Sequence, residues 1–160
     1  MDTQILTPQP NQVIGDIYVK FQVETHTPAI LSMEFVQEVL IVPVTRITPM
    51  PNMPECVLGL LNRRNRVLWA IDLAQVLNLQ PVDANAQQYH IIIIRVAQFP
   101  LALVVQEVKG ITRFTPDCIQ PPGVDAANII PYLDGCILQQ ETLLVMNAKA
   151  IVNSSLLHSY

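Results

Sequence analysis

Short apolar segments, separated by proline and polar residues, recur along most of the chain. The segments VLIVPV (39–44) and IIIIRV (91–96) are rich in β-branched residues and too short for convincing helices. Such segments, spaced about ten residues apart, are the pattern of an all-β fold. Pro43 cannot donate a hydrogen bond to a neighbouring strand, so we place it at a strand end or on a sheet edge.

Two segments have the spacing of short helices instead. In DLAQVLNLQP (72–81), Asp72 is a capping residue and Pro81 blocks extension. The apolar face of this helix consists of Leu73, Val76 and Leu77. Asn147 has the same capping position in NAKAIVNSSLL (147–157). We therefore predict a group of strands followed by a short helix, twice over.

The two halves of the chain share a series of short sequence motifs in the same order. The motif VQEV occurs at 36–39 and 105–108, and each copy precedes a Thr-Arg-apolar-Thr-Pro motif, at 45–49 and 112–116. Downstream, GLLNRRNRVLWAIDLAQVLN matches GCILQQETLLVMNAKAIVN after one gap. A repeat of about 70 residues is too long for a solenoid unit and fits two small related lobes.

The repeat predicts how the domain is organised. We expect one domain over 1–160, with a first β-barrel lobe at 17–80 and a second at 88–153. LQPVDANAQQ joins the lobes, and 1–14 forms a flexible lead-in without the basic and apolar regions of a signal peptide. Closure of each lobe into a barrel removes exposed strand edges.

Composition adds an excess of apolar residues. The chain is 51% hydrophobic and 14% charged, so it can bury a core and still expose apolar docking surface. Its longest uncharged segments are too short to span a bilayer, which argues against membrane insertion. Cys56, Cys118 and Cys136 are odd in number and lack a C-x-x-C spacing. They are interpreted as small buried hydrophobes in a reducing, cytoplasmic compartment.

Catalytic constellations are not evident. Asp72 and His90 could form an acid–base pair, or Asp72 could cap a helix and His90 start a strand. Glu38 and Glu107, at equivalent repeat positions, could be paired carboxylates, or polar-face residues alternating with buried valines. Trp69 is interpreted as a packing residue. We favour the structural interpretations and predict no catalytic residue, no cofactor and no metal site.

Positive charge is concentrated in one turn of an acidic chain. Arg63, Arg64 and Arg66 lie between the predicted strands CVLGLL and VLWAI, although Lys and Arg total 9 against 13 Asp and Glu. Asn65 suits the positive φ of a tight turn. The turn could be merely solvated or could dock a protein through arginine donors. Nucleic-acid binding is disfavoured, because the patch is small and the chain is acidic.

The stretch FVQEVLIVPVTRITPMPNMPECVLGLLNRRNRVLWAIDL resembles the CheW family of bacterial chemotaxis coupling proteins. That family shows a V-x-E-V strand, a proline-containing loop, a V-x-G-x-x-N-x-R-G turn and an apolar strand ending in Asp-Leu. The corresponding residues are Val36, Glu38, Val39, Pro49, Pro51, Pro54, Val57, Gly59, Asn62, Arg64, Asp72 and Leu73. The resemblance extends from about residue 17 to residue 152 and includes LALVVQEVKGI and IQPP.

The resemblance implies a mainly β fold of two SH3-like five-stranded β-barrel lobes, each followed by a short helix. It also implies a non-enzymatic adaptor, monomeric on its own, that links chemoreceptor cytoplasmic tips to the regulatory domain of a CheA-type histidine kinase. The resemblance implies protein-binding roles for Val36, Glu38 and Arg64, and we predict that the other residues of the turn, Arg63, Asn65 and Arg66, belong to the same binding site. A small-ligand-binding or hydrolytic barrel that uses the interlobe cleft is the alternative.

Four positions depart from the family pattern. Asn65 stands in place of the usual Gly, Trp69 in place of a common Pro, and Gln106 in place of a frequent Asp. Asn147 replaces the Asp that usually precedes the final helix. These departures suggest a divergent member that serves a pilus-based or phototactic pathway.

Overall fold

The computed structural model describes residues 15–123 and 128–154, and in these residues the chain is mainly β. The predicted lead-in at 1–14 and the last residues of the predicted second helix, 155–157, lie outside the described residues. The strands are β1 (Asp16–Glu24), β2 (Thr27–Ser32), β3 (Val36–Pro43), β4 (Ile47–Thr48), β5 (Val57–Arg63), β6 (Arg66–Asp72), β7 (Gln88–Val96), β8 (Phe99–Val105), β9 (Glu107–Phe114), β10 (Leu133–Leu138) and β11 (Thr142–Met146). The helices are α1 (Leu73–Val76) and α2 (Ala148–Val152). Single 3-10 turns occur at Met33–Phe35, Val44–Arg46, Pro116–Cys118 and Ile130–Tyr132.

The strands form two sheets, and each sheet draws strands from both halves of the chain. The five-stranded sheet has the order β10-β11-β2-β1-β9, and the six-stranded sheet has the order β3-β7-β8-β6-β5-β4. The predicted lobe boundaries, 17–80 and 88–153, therefore do not coincide with the sheets. Hydrophobic periodicity identifies strands but not their partners, so it could not reveal that the first hairpin of each half pairs with the other half.

The exchange of hairpins is symmetric, which supports the internal repeat. In one sheet β1 pairs with β9 in antiparallel fashion and β2 with β11 in parallel. In the other, β7 pairs with β3 in antiparallel fashion and β8 with β6 in parallel. Apart from the two-residue β4, the sheets have the same order once the halves are interchanged. Neither half completes a sheet alone, so we expect the halves to unfold together.

The core lies under both sheets and both helices. Its largest cluster combines residues of the two halves, including Phe21, Leu31, Ile71, Leu73, Leu77, Ile92, Leu103 and Ile151. Trp69 packs partly buried against this cluster, as predicted for a packing residue. A second cluster, around Leu61 and Ile93, belongs to the six-stranded sheet, and a third, around Ile30 and Val145, to the five-stranded sheet.

Both predicted helix caps are confirmed. The Asp72 carboxylate accepts a hydrogen bond from the Ala74 amide at 3.2 Å, and the Asn147 side-chain oxygen accepts one from the Ala150 amide at 2.9 Å. The predicted apolar face is buried: Leu73 and Val76 lie in α1, and Leu77 follows its last residue. Pro43 ends β3 on a sheet edge, as its missing N–H requires.

The cysteines differ in burial. All three are free thiols; Cys56 and Cys136 are buried, but Cys118 is only partly buried. The prediction of three buried cysteines is thus wrong for Cys118, which lies in a 3-10 turn at the surface beside Thr115. None of the helices in residues 15–123 and 128–154 has the length and hydrophobicity needed to cross a bilayer.

Candidate protein-docking site

The arginine cluster lies at the turn of the β5–β6 hairpin. Arg63 ends β5 and lies directly opposite Arg66, which begins β6. The two residues between them both have positive φ, 53° for Arg64 and 64° for Asn65. Two consecutive left-handed residues are what a tight hairpin turn of the primed type requires. The turn predicted at Asn65 is confirmed, and Arg64 shares its backbone conformation.

Glu38 on β3 binds the hairpin. Its carboxylate accepts hydrogen bonds from Arg63 through Nε, at 3.1 Å, and through Nη2. A long contact of 3.5 Å joins the same carboxylate to Nη2 of Arg64. Two donors from one guanidinium to one carboxylate fix the orientation of both side chains. Glu38 therefore connects the edge strand β3 to the arginine turn.

Charge and exposure differ among the members of this site. The Arg63 hydrogen bonds hold the pKa of the Glu38 carboxyl below its ordinary value, although burial acts in the opposite direction. The same bonds raise the pKa of Arg63. Side-chain exposure is 22% for Glu38, 32% for Arg63 and 74% for Arg64. Arg63 is thus held against the protein, while Arg64 extends into solvent.

A groove of about 330 Å³ opens beside the ion pair. Its polar side is formed by Gln37, Glu38 and the three arginines, Arg63, Arg64 and Arg66. Its apolar side is formed by Leu68 and Ile93, which are buried members of the core of the six-stranded sheet. An apolar floor beneath charged donors is the combination found at protein-binding grooves.

Comparison with known proteins bears directly on this arrangement. The CheW-like domain family matches residues 18–156. The chain belongs to the CheW-like domain family. It is 40% identical over 78 residues to a probable chemotaxis protein CheW of Rhizobium etli, a match that covers 48% of this chain and 49% of that protein. The chain thus matches about half the length of this curated relative.

A solved structure supports the fold. The scaffolding protein TtCheW of Thermoanaerobacter tengcongensis superimposes with a TM-score of 0.72 at 20% identity. The match covers 84% of this chain and 90% of that one. The predicted mainly β, CheW-like fold is therefore confirmed. At this level of identity the likeness concerns the fold alone.

Within this CheW-like domain, β3 differs from its predicted pattern. Glu38 was expected on the solvent face, alternating with buried valines, yet it is half-buried, and Val39 (42% exposed) and Ile41 (54% exposed) face outward. The reason is Arg63, which compensates the charge of Glu38 on the inner side of the strand. Val36 is half-buried against the main core, so its substitution affects packing as well as any partner contact.

The equivalent glutamate has a different environment. Glu107 on β9 is exposed and pairs with Lys109 at 3.0 Å, and Val108 between them is partly buried. Here the predicted alternation of polar and apolar positions is confirmed. Glu38 and Glu107 each contact a cation of their own, which is unlike the shared site of a catalytic carboxylate pair.

Asp72 and His90 have structural roles. The buried Asp72 carboxylate accepts hydrogen bonds from the amides of Ala74 and Val82 and from the side chain of Gln75. Burial raises the pKa of Asp72, and these donors act against that rise. His90 lies in β7, and its Nδ1 accepts from the Val108 amide at 3.2 Å. These contacts agree with the structural interpretation of both residues.

One cavity lined by strands of both sheets is smaller than a typical ligand pocket. A cavity of about 110 Å³ lies where the β1–β2 turn meets the segment 80–83 and Tyr89. Ligand pockets typically measure about 300–1,000 Å³. Among residues 15–123 and 128–154 no group of three His, Cys, Asp or Glu side chains is arranged to hold a metal ion.

Proposed function

We propose that this chain is a non-enzymatic adaptor that binds the regulatory domain of a CheA-type histidine kinase and the cytoplasmic tip of a chemoreceptor. Membership of the CheW-like family supports the adaptor function. The relative from Rhizobium etli carries the name of a chemotaxis protein, and TtCheW is named a scaffolding protein. On this proposal the chain acts in the cytoplasm and is a monomer in the absence of its partners.

The observation that carries the proposal is the braced arginine turn. The two hydrogen bonds from Arg63 to Glu38 fix the hairpin against β3. The turn therefore presents Arg64, which is 74% exposed, next to an open groove. A side chain that is already held loses less conformational entropy when a partner binds, so a rigid turn suits docking. The proposed docking residues are Val36, Glu38, Arg63, Arg64, Asn65 and Arg66.

The pathway is the finer part of the proposal. The departures from the family pattern at Asn65, Trp69, Gln106 and Asn147 motivate assignment to a pilus-based or phototactic system. The structure gives Asn147 a local reason, since its Nδ2 donates to Asp134 at 2.9 Å. Deletion of the gene followed by separate assays of swimming, twitching and light-directed movement tests this assignment. Loss of swimming chemotaxis alone would contradict it.

Direct binding tests the adaptor function. Calorimetric titration of the purified chain with a CheA-type regulatory domain, and then with a receptor-tip fragment, should show saturable one-to-one binding to each. Addition of both partners should give a ternary complex in sedimentation velocity. If neither partner binds at micromolar concentration, the adaptor proposal fails.

A further inference from the structure

The three arginines of the turn are not equivalent. Arg63 directs two donors at Glu38, so its charge is already compensated. Arg64 reaches the same carboxylate only at 3.5 Å. Arg66 is exposed, and it forms no ion pair within residues 15–123 and 128–154. Two guanidinium groups on the same groove therefore retain donors for another molecule.

The charge of the groove is opposite to that of the chain. Three guanidinium groups and one carboxylate line it, whereas the whole chain has a formal net charge of −4. Arg63 and Arg66 also lie directly across the hairpin, where like charges destabilise the pairing. Glu38 relieves this repulsion at Arg63 only. An incoming carboxylate would relieve what remains, so charge complementarity selects an acidic occupant.

The floor of the groove restricts the occupant further. Leu68 and Ile93 line the groove beside the arginines and expose a small part of their side chains, 4% and 3%. Inorganic anions and nucleic-acid phosphates cannot use such a surface, whereas a peptide can place an apolar side chain on it. Arginine forks bind planar carboxylates through two parallel hydrogen bonds.

We propose that Arg64 and Arg66 form a carboxylate clamp for a partner segment that carries acidic side chains next to an apolar one. The apolar side chain packs on Leu68 and Ile93, and the carboxylates are bound by the two arginines. Arg63 is a positioning residue, which keeps Glu38 from competing for the clamp. This inference rests on the proposed function and deepens it by specifying the chemistry of the partner.

Side-chain NMR of the full-length chain tests the clamp directly. The probes are the peptide acetyl-Gly-Leu-Glu-Glu-Gly-amide, its Gln-Gln counterpart and inorganic phosphate, each at the same ionic strength. The Nε–H signals of Arg64 and Arg66 should shift saturably with the acidic peptide, with a dissociation constant of about millimolar order. Arg63 should shift much less, and the exposed Arg46 of the Val44–Arg46 turn should not shift.

Each other outcome overturns the proposal. An equal response to the Gln-Gln peptide would show that carboxylates are not recognised. An equal response to phosphate would show that the site binds any anion and does not use its apolar floor. Absence of a saturable shift at Arg64 and Arg66 would show that no clamp exists.

A second experiment separates this inference from the adaptor function. The double variant Arg64→Gln/Arg66→Gln should bind the kinase regulatory domain or the receptor tip at least about tenfold more weakly, and Arg46→Gln should not. If the double variant binds both partners normally, the adaptor function stands and the clamp fails. If neither partner binds the unmodified chain but the acidic peptide shifts Arg64 and Arg66, the clamp stands and the adaptor proposal fails.

Discussion

Arg63 donates two hydrogen bonds to Glu38, a residue 25 positions earlier in the chain. The pair joins the edge strand β3 to the β5–β6 hairpin and so orders the turn that carries Arg64. The two hydrogen bonds fix the orientation of both side chains, so the ion pair holds the hairpin against β3.

The Glu38–Arg63 pair should make stability depend on pH. Because the pKa of Glu38 is lowered in the folded chain, its contribution is fully present above the ordinary glutamate pKa of 4.5. It is lost as the pH falls through the lower folded value. Urea unfolding of the unmodified chain and of Glu38→Gln should therefore differ most near neutral pH, and the difference should shrink as the pH falls below 4.5. A difference that stays constant over this range would contradict the prediction.

Asn147 should be sensitive to a change to aspartate. Its side-chain oxygen caps α2, and its Nδ2 donates to Asp134. Asn147→Asp keeps the cap but sets two carboxylates against each other. We expect a net loss of about 1 kcal/mol at neutral pH, since loss of a charge-assisted hydrogen bond outweighs the gain at the helix N-terminus. Thermal unfolding measures the change.

The same experiment has a matched control. Adding Asp134→Asn to Asn147→Asp removes the repulsion and restores a donor opposite the new carboxylate. Stability should return to nearly that of the unmodified chain. If the double variant is no more stable than Asn147→Asp, the contact with Asp134 is not the cause.

Ala97 occupies a conformation that favours glycine. It has a φ of 54° in the turn between β7 and β8. Left-handed backbone costs a residue with a Cβ about 1–2 kcal/mol, and glycine adds less than that in unfolded-chain entropy. Ala97→Gly should therefore stabilise the chain by about 0.5 kcal/mol in chemical unfolding. Ala84→Gly, at an exposed position outside the positive-φ residues, should destabilise it slightly.

Ile41 should contribute to self-association. It is 54% exposed on β3, which forms an edge of the six-stranded sheet. Exposed apolar edge strands promote pairing between chains, and lysine on an edge opposes it. In sedimentation velocity the unmodified chain should be a monomer with weak concentration-dependent association, which Ile41→Lys should abolish without lowering Tm. A stable dimer of both chains would contradict this.

Local features of the fold were predictable because their causes are local. A cap depends on the few residues around Asp72 or Asn147, and a hairpin turn depends on the residues between two strands. For the same reason Asn65 could be assigned a positive φ before the structure was known. Periodic apolar segments likewise predicted the strands and their repetition.

Pairings between distant segments were not predictable. The exchange of hairpins between the halves depends on which strand edges meet, and the apolar segments are too similar to specify this. The hydrogen bonds between Glu38 and Arg63 were not predictable for a related reason. Alternation along β3 predicts that Glu38 faces solvent, and nothing in that strand indicates a cation 25 positions away. The resemblance matched the family's turn arginine to Arg64, but it gave no sign that Arg63 would bind Glu38.

The central claim is that the braced turn is a docking element, and the most direct test is the affinity of Arg64→Glu for the kinase regulatory domain and the receptor tip. Arg64 is highly exposed, so its substitution should change the free energy of unfolding by at most about 0.5 kcal/mol. Loss of a charge-assisted contact and the introduction of a like charge should weaken binding to at least one partner by about 2–5 kcal/mol, which is roughly thirtyfold or more. Arg46→Glu, which changes an exposed cation of the Val44–Arg46 turn outside the cluster, should bind both partners normally. If Arg64→Glu binds both partners as tightly as the unmodified chain, the turn is only a solvated hairpin and the docking assignment is wrong.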